Sequence, residues 1–430
     1  MLSLRVGGRA LLTSPSKRRC LSSSPSSIPN PLELASRPNE DPRPPYQLLF
    51  FGADSFSCRV LERVHEAGPG LVDQITVVTP GDQRVGRKLK ELHRPHLRKY
   101  AEELDLPVIP LPTTLLRGWQ PPEPFLAPAN RSPPAAPSPH NLLLTASFGH
   151  LIPSSLLSHF RPLNALNVHP SLLPKYRGAS PIQYGIINGD SDDGGAGMGV
   201  SVQELSRGKF DQGRILGQTP VAVPSDSSFH ELEPILARAG GDLLVSILRC
   251  ERLTIRFHHS LRDVHVTQAA AFPQDPSLAT LAPKLHKHDL RAQWTHKTPE
   301  EIIRLQRGAG HQYPLWTTYT PRSSASSDSS SILNSSSSSA PPISTPLESV
   351  QLQLILTPFL SPLPLSLIYS PPGSAALDPE TKTVVVKCRD SAVGVEVKEV
   401  KKSGGKWVGG REWWNGLGKR VREEGMIVFE

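Results

Sequence analysis

Three polar residues, two of them spaced two apart, have the chemistry to stabilise a developing negative charge on oxygen. Asn167 and His169 end an apolar run, and Asp211 lies in the glycine-bounded loop GKFDQG. Residues i and i+2 of a strand project to one face, so the amide and the imidazole should converge. Both can hydrogen-bond an oxyanion, and Asp211 can orient His169 or relay a proton. Alternatively, Asn167 and His169 satisfy backbone groups and Asp211 merely forms a turn.

The sequence around these residues predicts an α/β fold with a Rossmann-like, open and mainly parallel sheet. Short apolar runs predict strands, and several are separated by helical patterns. The runs are 47–51, 75–78, 107–110, 142–145 and 163–168. This alternation is typical of a parallel sheet covered on both faces, where ligands bind beyond the carboxyl ends of the strands.

Capping residues and hydrophobic patterns predict further helices and strands in the rest of the chain. Ser180, followed by Pro181 and Gln183, predicts a capping box and a helix that ends near Gly189. Strands are expected at 198–203 and 215–223, and a long helix at 232–248. A second unit should begin near residue 278, with a capping box at 298–301. Alternation around Gly394 over 384–400 predicts a hairpin in a small, OB-like β-barrel.

Length and composition exclude several classes of protein. The 430 residues allow two or three domains, and no apolar run reaches the roughly 20 residues of a spanning helix, so membrane insertion is not expected. The cysteines lack CxxC spacing, which argues against a disulfide framework and a thiolate zinc site: they are Cys20, Cys58, Cys250 and Cys388. The 45 prolines indicate insertions, namely a Pro-rich one at 121–139 and a Ser-rich one, expected to be disordered, at 321–346.

The amino-terminal segment has the composition of a mitochondrial transit peptide. Residues 1–32 contain five basic and no acidic residues and are rich in serine, so the remaining chain carries only +3 of the net charge of +8. We therefore predict a disordered transit peptide over 1–40. A basic tail without a targeting role, or one that binds nucleic acid, is the alternative.

A second basic segment lies in the loop RVGRKLK at 84–90. It follows a predicted strand and contains a glycine hinge, so it can reach phosphate groups of a nucleic acid; the alternative is a solvated charge run. A weaker phosphate track is expected on the second unit, and three tryptophans are expected in its core. The track comprises Lys398, Lys401, Lys402, Lys406 and Arg411, and the tryptophans are Trp407, Trp413 and Trp414.

Long ordered motifs resemble the enzymes that transfer the formyl group of 10-formyltetrahydrofolate, most closely their mitochondrial methionyl-tRNA branch. The central matches are NVHPSLLPKYRGASPIQYGIINGD and GVSVQELSRGKFDQGRIL, supported by LLFFGADSFSCRVLERV, VTPGDQRVGRKLK, TASFGHLIPSSLL and TLAPKLHKHDLRAQW. Together they cover nearly the whole chain from Leu48 onward. The sequence departs from many relatives at Ala53 and Asp54, where those have threonine and proline.

The resemblance implies a reaction and a set of site residues. The amino group of initiator methionyl-tRNA would attack the formyl carbon of 10-formyltetrahydrofolate, with Asn167, His169 and Asp211 as catalytic residues. Folate would contact Phe148, Gly149, Leu151, Ile152, Ser171, Leu172 and Pro174. The tRNA would contact Arg84, Arg87, Lys88, Lys90, Lys175 and Arg177, with Arg87 aligned to the family's key arginine.

The same resemblance sets the expected organisation of the chain. A catalytic domain would span 46–255, a linker 256–277 and a tRNA-binding domain 278–430, in a monomer of the mitochondrial matrix. The chemistry requires no metal, so His93, His96, His286 and His288 are expected to face solvent rather than to bind one. Rival functions are a hydrolase that uses water as acceptor, a relative that formylates a glycinamide amine, and an RNA-binding protein without activity.

Overall fold

A computed structural model of the chain describes residues 45–85, 88, 90–112, 116–126, 136–191, 197–249, 271–320 and 349–430. The predicted transit peptide and the Ser-rich insertion lie outside the described residues. So do residues 127–135 of the Pro-rich insertion and residues 256–270 of the predicted linker. Everything described belongs to one unit, Pro45–Glu430.

The first half of the chain builds a seven-stranded mixed sheet. Its strands and the neighbouring short hairpin are β1 (Tyr46–Phe51), β2 (Val72–Pro80), β3 (Gln83–Val85), β4 (Glu91–His93), β5 (Val108–Leu111), β6 (Asn141–Ala146), β7 (Ala165–His169), β8 (Gly199–Glu204) and β9 (Ile215–Pro220). The sheet order is β5-β2-β1-β6-β7-β8-β9, and β3 and β4 form a separate two-stranded sheet. Pairing is parallel from β5 to β7 and antiparallel at β7–β8 and β8–β9. This confirms the predicted open, mainly parallel sheet.

Both faces of this sheet are covered, as alternation along β1 shows. Leu48 and Phe50 belong to one buried cluster, whereas Leu49 and Phe51 belong to a second cluster on the opposite face. The helices are α1 (Ser55–Glu66), α2 (His96–Glu103), α3 (Ser154–Leu157), α4 (Pro181–Ile187) and α5 (Phe229–Arg249). Helix α5 approaches β7 closely because Gly240 has no side chain: a Cβ there would lie 2.6 Å from Val168 Cγ1.

The start of α4 corrects one prediction. Pro181 is the first helical residue as expected, but Ser180 makes no side-chain capping bond, so the predicted capping box is absent at this helix. Gln183 is instead buried, and its backbone carbonyl lies beneath Gly308. Packing against the second half of the chain has therefore replaced the local cap.

The second half is an antiparallel sheet that curls into a half-barrel, which confirms the predicted barrel-like domain. Its elements are α6 (Pro299–Ala309), β10 (Leu315–Tyr319), β11 (Val350–Pro362), β12 (Ser374–Leu377), β13 (Val384–Lys387), β14 (Val393–Lys402), β15 (Val408–Gly409), α7 (Gly410–Asn415), α8 (Lys419–Glu424) and β16 (Ile427–Val428). The order is β10-β11-β14-β13-β12-β16, with β15 beside β14. An isolated bridge from Tyr319 to Phe429 brings the two edges together.

The capping box, the hairpin and two of the three buried tryptophans predicted for this half of the chain are confirmed. Thr298 and Glu301 form the predicted capping box of α6, with Pro299 at the first helical position. The hairpin is present, but Gly394 lies within β14 opposite Lys387, so the turn is formed by residues 388–392. Trp413 and Trp414 are buried as expected. Trp407 is not: it is half-buried, with the Lys401 ammonium 5.6 Å from its ring centroid.

Neither a disulfide bond nor a membrane-spanning helix occurs among the described residues. Cys58 and Cys388, the two cysteines within the described ranges, are free, and burial raises the pKa of each thiol to about 12. Such thiols are unreactive near neutral pH. None of the described helices is both long and apolar enough to cross a membrane.

Candidate active site

A cavity of about 520 Å³ opens beyond the carboxyl ends of β1, β6 and β7. This is the edge where open α/β sheets bind their ligands. Asn167, His169 and Asp211 all line the cavity, so the structure brings together the three residues that spacing alone singled out. Their catalytic roles remain proposals, but their convergence is a property of the fold.

Asn167 is oriented by a neighbour on the adjacent strand. Thr145 pairs with Asn167 in the register of β6 and β7, and its hydroxyl donates to Asn167 Oδ1 at 2.7 Å. That bond fixes which way the amide is turned, with the oxygen toward Thr145, so the donor nitrogen is the other end of a group that lines the cavity. Thr145 also lines the cavity. Sequence analysis missed it, although its place at the end of a predicted strand was a usable signal.

His169 is buried, and each of its ring nitrogens has a defined neighbour. Nε2 lies 2.9 Å from the Tyr176 carbonyl oxygen, and Nδ1 lies 3.5 Å from Asp211 Oδ1. A carbonyl oxygen can only accept, so Nε2 carries a hydrogen and Nδ1 is the nitrogen that faces the cavity residues. The 3.5 Å separation is longer than a strong hydrogen bond and leaves Nδ1 available to a ligand.

Asp211 is held by backbone and side-chain donors. Its Oδ2 accepts from the Gly178 amide at 2.9 Å, and its Oδ1 accepts from Gln203 Nε2 at 2.9 Å. The residue adopts φ of +53°, a left-handed conformation that turns the loop and aims the carboxylate at His169. Asp211 therefore forms a turn, which was the alternative to a catalytic role, and it also faces the imidazole of His169.

Gln274 locks the loop of Asp211 from a distant part of the chain. Its Nε2 donates to the carbonyls of Asp211 and Gly213, and its Oε1 accepts from Arg177 at 2.6 Å and 3.0 Å. No sequence signal marked Gln274, because the contact spans more than sixty positions along the chain. Arg177, expected to contact tRNA, is half-buried and makes this internal contact, and its contact with tRNA stays a prediction.

The residues expected to contact folate divide into two groups. Phe148, Gly149, Leu151 and Ile152 line the cavity, with Leu151 exposed and Ile152 buried. Ser171, Leu172 and Pro174 do not line it. Ser171 donates to the Lys175 carbonyl at 2.6 Å, and Leu172 packs beneath Gly199. These contacts of Ser171 and Leu172 shape the turn after β7, and the expected contacts of the three residues with folate stay a prediction.

The residues expected to contact tRNA are mostly exposed. Arg84 lies on β3, and Lys88 and Lys90 lie between β3 and β4; all three are accessible to solvent. Arg87 lies outside the described residues. Lys175 is exposed and pairs with Asp190 at 3.1 Å.

Potential metal ligands outside the cavity occur at the start of the second half. His286, His288 and Asp289 have ligand atoms within 4.8 Å of one another, and both histidines are exposed. His93 and His96 are exposed as well. All four histidines face solvent, as predicted, and the expectation that the chemistry needs no metal stays a prediction.

Comparison with known families decides the assignment. The formyl transferase model matches residues 47–248, and the model of the formyl transferase C-terminal domain matches residues 284–418. The chain belongs to the formyl transferase family.

Several named formyl transferases are similar to this one. The human protein named mitochondrial methionyl-tRNA formyltransferase is 28% identical over 366 residues, which is 84% of this chain and 76% of that protein. The methionyl-tRNA formyltransferase of Syntrophus aciditrophicus is 32% identical over 60% of this chain and 72% of its own length. A solved N-formyltransferase from Helicobacter canadensis aligns at a TM-score of 0.45 and 15% identity, over 82% of this chain and 98% of that one.

The cavity of this formyl transferase is acidic. Asp54, Glu204, Asp211 and Glu233 line it, whereas Lys209 is its single lysine or arginine among the described residues. Glu204 is paired with Arg214, which lies outside the lining. Desolvation, followed by repulsion from Glu233, raises the pKa of Asp54 to about 6, although its hydrogen bonds with Ser57 and Ser147 oppose the rise.

Proposed function

We propose that the protein transfers the formyl group of 10-formyltetrahydrofolate to the amino group of initiator methionyl-tRNA. The observation that carries this proposal is the convergence of the Asn167 amide, the His169 imidazole and the Asp211 carboxylate on one cavity. The named relatives support the choice of acceptor, because methionyl-tRNA formyltransferases from animals and bacteria are similar to this chain.

The chain's own groups account for the steps that formyl transfer requires. As the amine nitrogen bonds to the formyl carbon, the carbonyl electron pair moves to oxygen, and the donor nitrogen later leaves with a proton. Asn167 Nδ2 and His169 Nδ1, when protonated, are positioned to hydrogen-bond that oxygen, and Asp211 holds the imidazole in place. Asp211 also takes part in moving the proton lost by the attacking amine.

The folate end is proposed to lie against Phe148, Gly149, Leu151 and Ile152. These residues give the cavity an apolar wall beside an exposed glycine backbone, which suits a flat heterocycle with polar edges. The folate is a co-substrate that supplies the formyl carbon. The residues present therefore fit its heterocycle in polarity.

The tRNA is proposed to contact the basic loop through phosphate groups. Arg84, Lys88 and Lys90 are exposed, and Arg87 belongs to the same segment. Lys398, Lys402, Lys406 and Arg411 on the half-barrel are also exposed and extend the basic surface.

We further propose a monomer of the mitochondrial matrix with the catalytic domain at 46–255, the linker at 256–277 and the tRNA-binding domain at 278–430. The human relative is named as mitochondrial, which supports the compartment. Mass spectrometry of the endogenous amino terminus tests the proposed transit peptide, since an intact Met1 would count against cleavage.

A formyl transfer assay tests the proposed function. Purified protein, 10-formyltetrahydrofolate and charged methionine tRNAs, initiator and elongator, should yield formylmethionyl-tRNA, with the initiator preferred. Formate released without formylated tRNA would identify a hydrolase, and formylation of a glycinamide amine alone would identify a different acceptor. Binding of tRNA without either product would indicate an RNA-binding protein.

A further inference from the structure

Glu233 is a buried acid whose charge has no evident structural use. It lies on α5, is 7% exposed, and lines the cavity. Its Oε1 has no hydrogen-bond partner among the described residues. A buried carboxylate oxygen without a partner is costly, so its presence in a cavity wall indicates a group that binds there.

Asp54 provides a second carboxylate in the same cavity. It caps α1, accepting from the Ser57 amide at 3.2 Å, and also bonds with Ser147. It is an exposed residue of the cavity lining, yet desolvation by the surrounding protein and repulsion from Glu233 raise its pKa to about 6. Neither it nor Glu233 has an ion-pair partner among the residues that the structure describes. Asp54 and the unpartnered Glu233 Oε1 line the same cavity, so a cation bound there would be stabilised by both carboxylates.

The other charged groups of the cavity do not supply that cation. Glu204 is paired with Arg214, and Asp211 is satisfied by Gly178 and Gln203. The remaining basic lining residues are His150, His169 and Lys209. His150 packs edge to face on Phe148, His169 faces Asp211, and Lys209 is an exposed loop residue.

We propose that Asp54 and Glu233 form an acidic subsite that receives the positively charged amino group of the acceptor. This inference rests on the proposed function, in which the acceptor end is an aminoacyl ester whose amine is its only cationic group. The two carboxylates hold the ammonium as the ester enters and orient its nitrogen toward the cavity. They also distinguish an amine from a neutral acceptor of the same shape.

The test compares two acceptors that differ only in the charged group. One is methionyl-tRNA, and the other is the same tRNA esterified with the hydroxy acid analogue, in which OH replaces NH₃⁺. We expect the wild-type protein near pH 7 to bind methionyl-tRNA about tenfold more tightly, the size of one charge-assisted hydrogen bond. In Glu233→Gln and Asp54→Asn variants the preference should shrink toward equality, with affinity for the hydroxy analogue unchanged.

Both variants are expected to fold, because glutamine matches glutamate in shape and asparagine caps helices as well as aspartate. Glu231→Gln is the matched control, since it removes a charge two residues away on the exposed side of α5. Wild-type-like preference in both variants, or no preference in the wild-type protein, would overturn the inference. The proposed function is tested separately by formylated product, so either result leaves the two conclusions distinguishable.

Discussion

His169 presents Nδ1 to Asp211 Oδ1 at 3.5 Å while the Tyr176 carbonyl holds its other ring nitrogen at 2.9 Å. The imidazole therefore cannot rotate without losing a buried hydrogen bond, and one nitrogen is reserved for the cavity. A fixed ring is what the proposed contact with an oxyanion requires, since a preorganised group does not have to reorient when charge develops.

Removal of the His169 imidazole or of the Asp211 carboxylate should therefore reduce turnover sharply. We expect His169→Ala and Asp211→Asn each to lower kcat by roughly 100-fold or more, because stabilisation of the oxyanion is lost. Single-turnover formyl transfer measures the effect, and tRNA binding should be retained. His65→Ala and Asp73→Asn are exposed controls. Activity within a few fold of wild type in both site variants would remove these residues from the mechanism.

Thr145 should matter through Asn167. Thr145→Val keeps the shape of the side chain but removes the donor to Asn167 Oδ1, so the amide loses its fixed orientation. We expect kcat to fall about tenfold, with KM for either substrate little changed. Thr79→Val is a matched control on β2, since the buried Thr79 hydroxyl has no partner among the described residues. A kcat loss of equal size in both variants would show a general packing effect.

Gln274 should contribute to both stability and activity. Gln274→Leu removes two donations to the loop of Asp211 and leaves Arg177 without its acceptor. We expect the free energy of unfolding to fall by about 1–3 kcal/mol and kcat to fall with it, because the loop is released. Denaturant unfolding and the transfer assay measure the two effects. Ser277→Ala, an exposed change three residues away, should alter neither.

Asp54 should make stability depend on pH in the direction opposite to an ordinary ion-paired acid. Its folded pKa of about 6 lies above the usual 3.8, so the folded state binds more protons than the unfolded state in that interval. The contribution of Asp54 to stability therefore falls as pH rises from about 4 to 6. Relative to wild type, Asp54→Asn should gain in Tm across this interval and level off above it. A Tm difference independent of pH would contradict this linkage.

The basic loop should act on tRNA binding rather than on folate. Replacing Arg84, Lys88 or Lys90 by alanine removes one exposed positive charge each. Each replacement should weaken tRNA binding and reduce the dependence of log K on log salt by about 0.7–0.9, if one phosphate contact is lost. Filter binding at several salt concentrations measures the slope. Lys99→Ala, on α2 nearby in sequence, is the control.

Sequence reasoning reached the fold and the centre of the site for identifiable reasons. Strand alternation is local, so the sheet and the pairing of Asn167 with His169 followed from periodicity. Asp211 was found because glycines mark its loop. Gln274 was missed because its role arises only when distant segments meet. The contact of Arg177 with Gln274 was missed for the same reason, since the charge of Arg177 is visible in the sequence and its partner is not.

The same limit explains the remaining differences. Ser180 has every local feature of a helix cap, yet tertiary packing of α4 against the second half of the chain prevails. Glu233 lies in an amphipathic helix pattern and gave no sign of its orphaned oxygen. Whether a buried polar atom has a partner depends on the assembled fold, and periodicity does not report it.

Gly178 contacts the second half of the chain and also donates a hydrogen bond to Asp211. Its φ is +130°, and a side chain there would meet the Ala282 carbonyl at 2.4 Å, beside the bridge between Arg177 and Leu281. Its amide meanwhile donates to Asp211. A displacement of the segment 281–282 is therefore transmitted through Gly178 to the Asp211 carboxylate. A force that a bound ligand exerts on the half-barrel would therefore also shift Asp211. The position of the half-barrel and the position of this carboxylate are thus coupled.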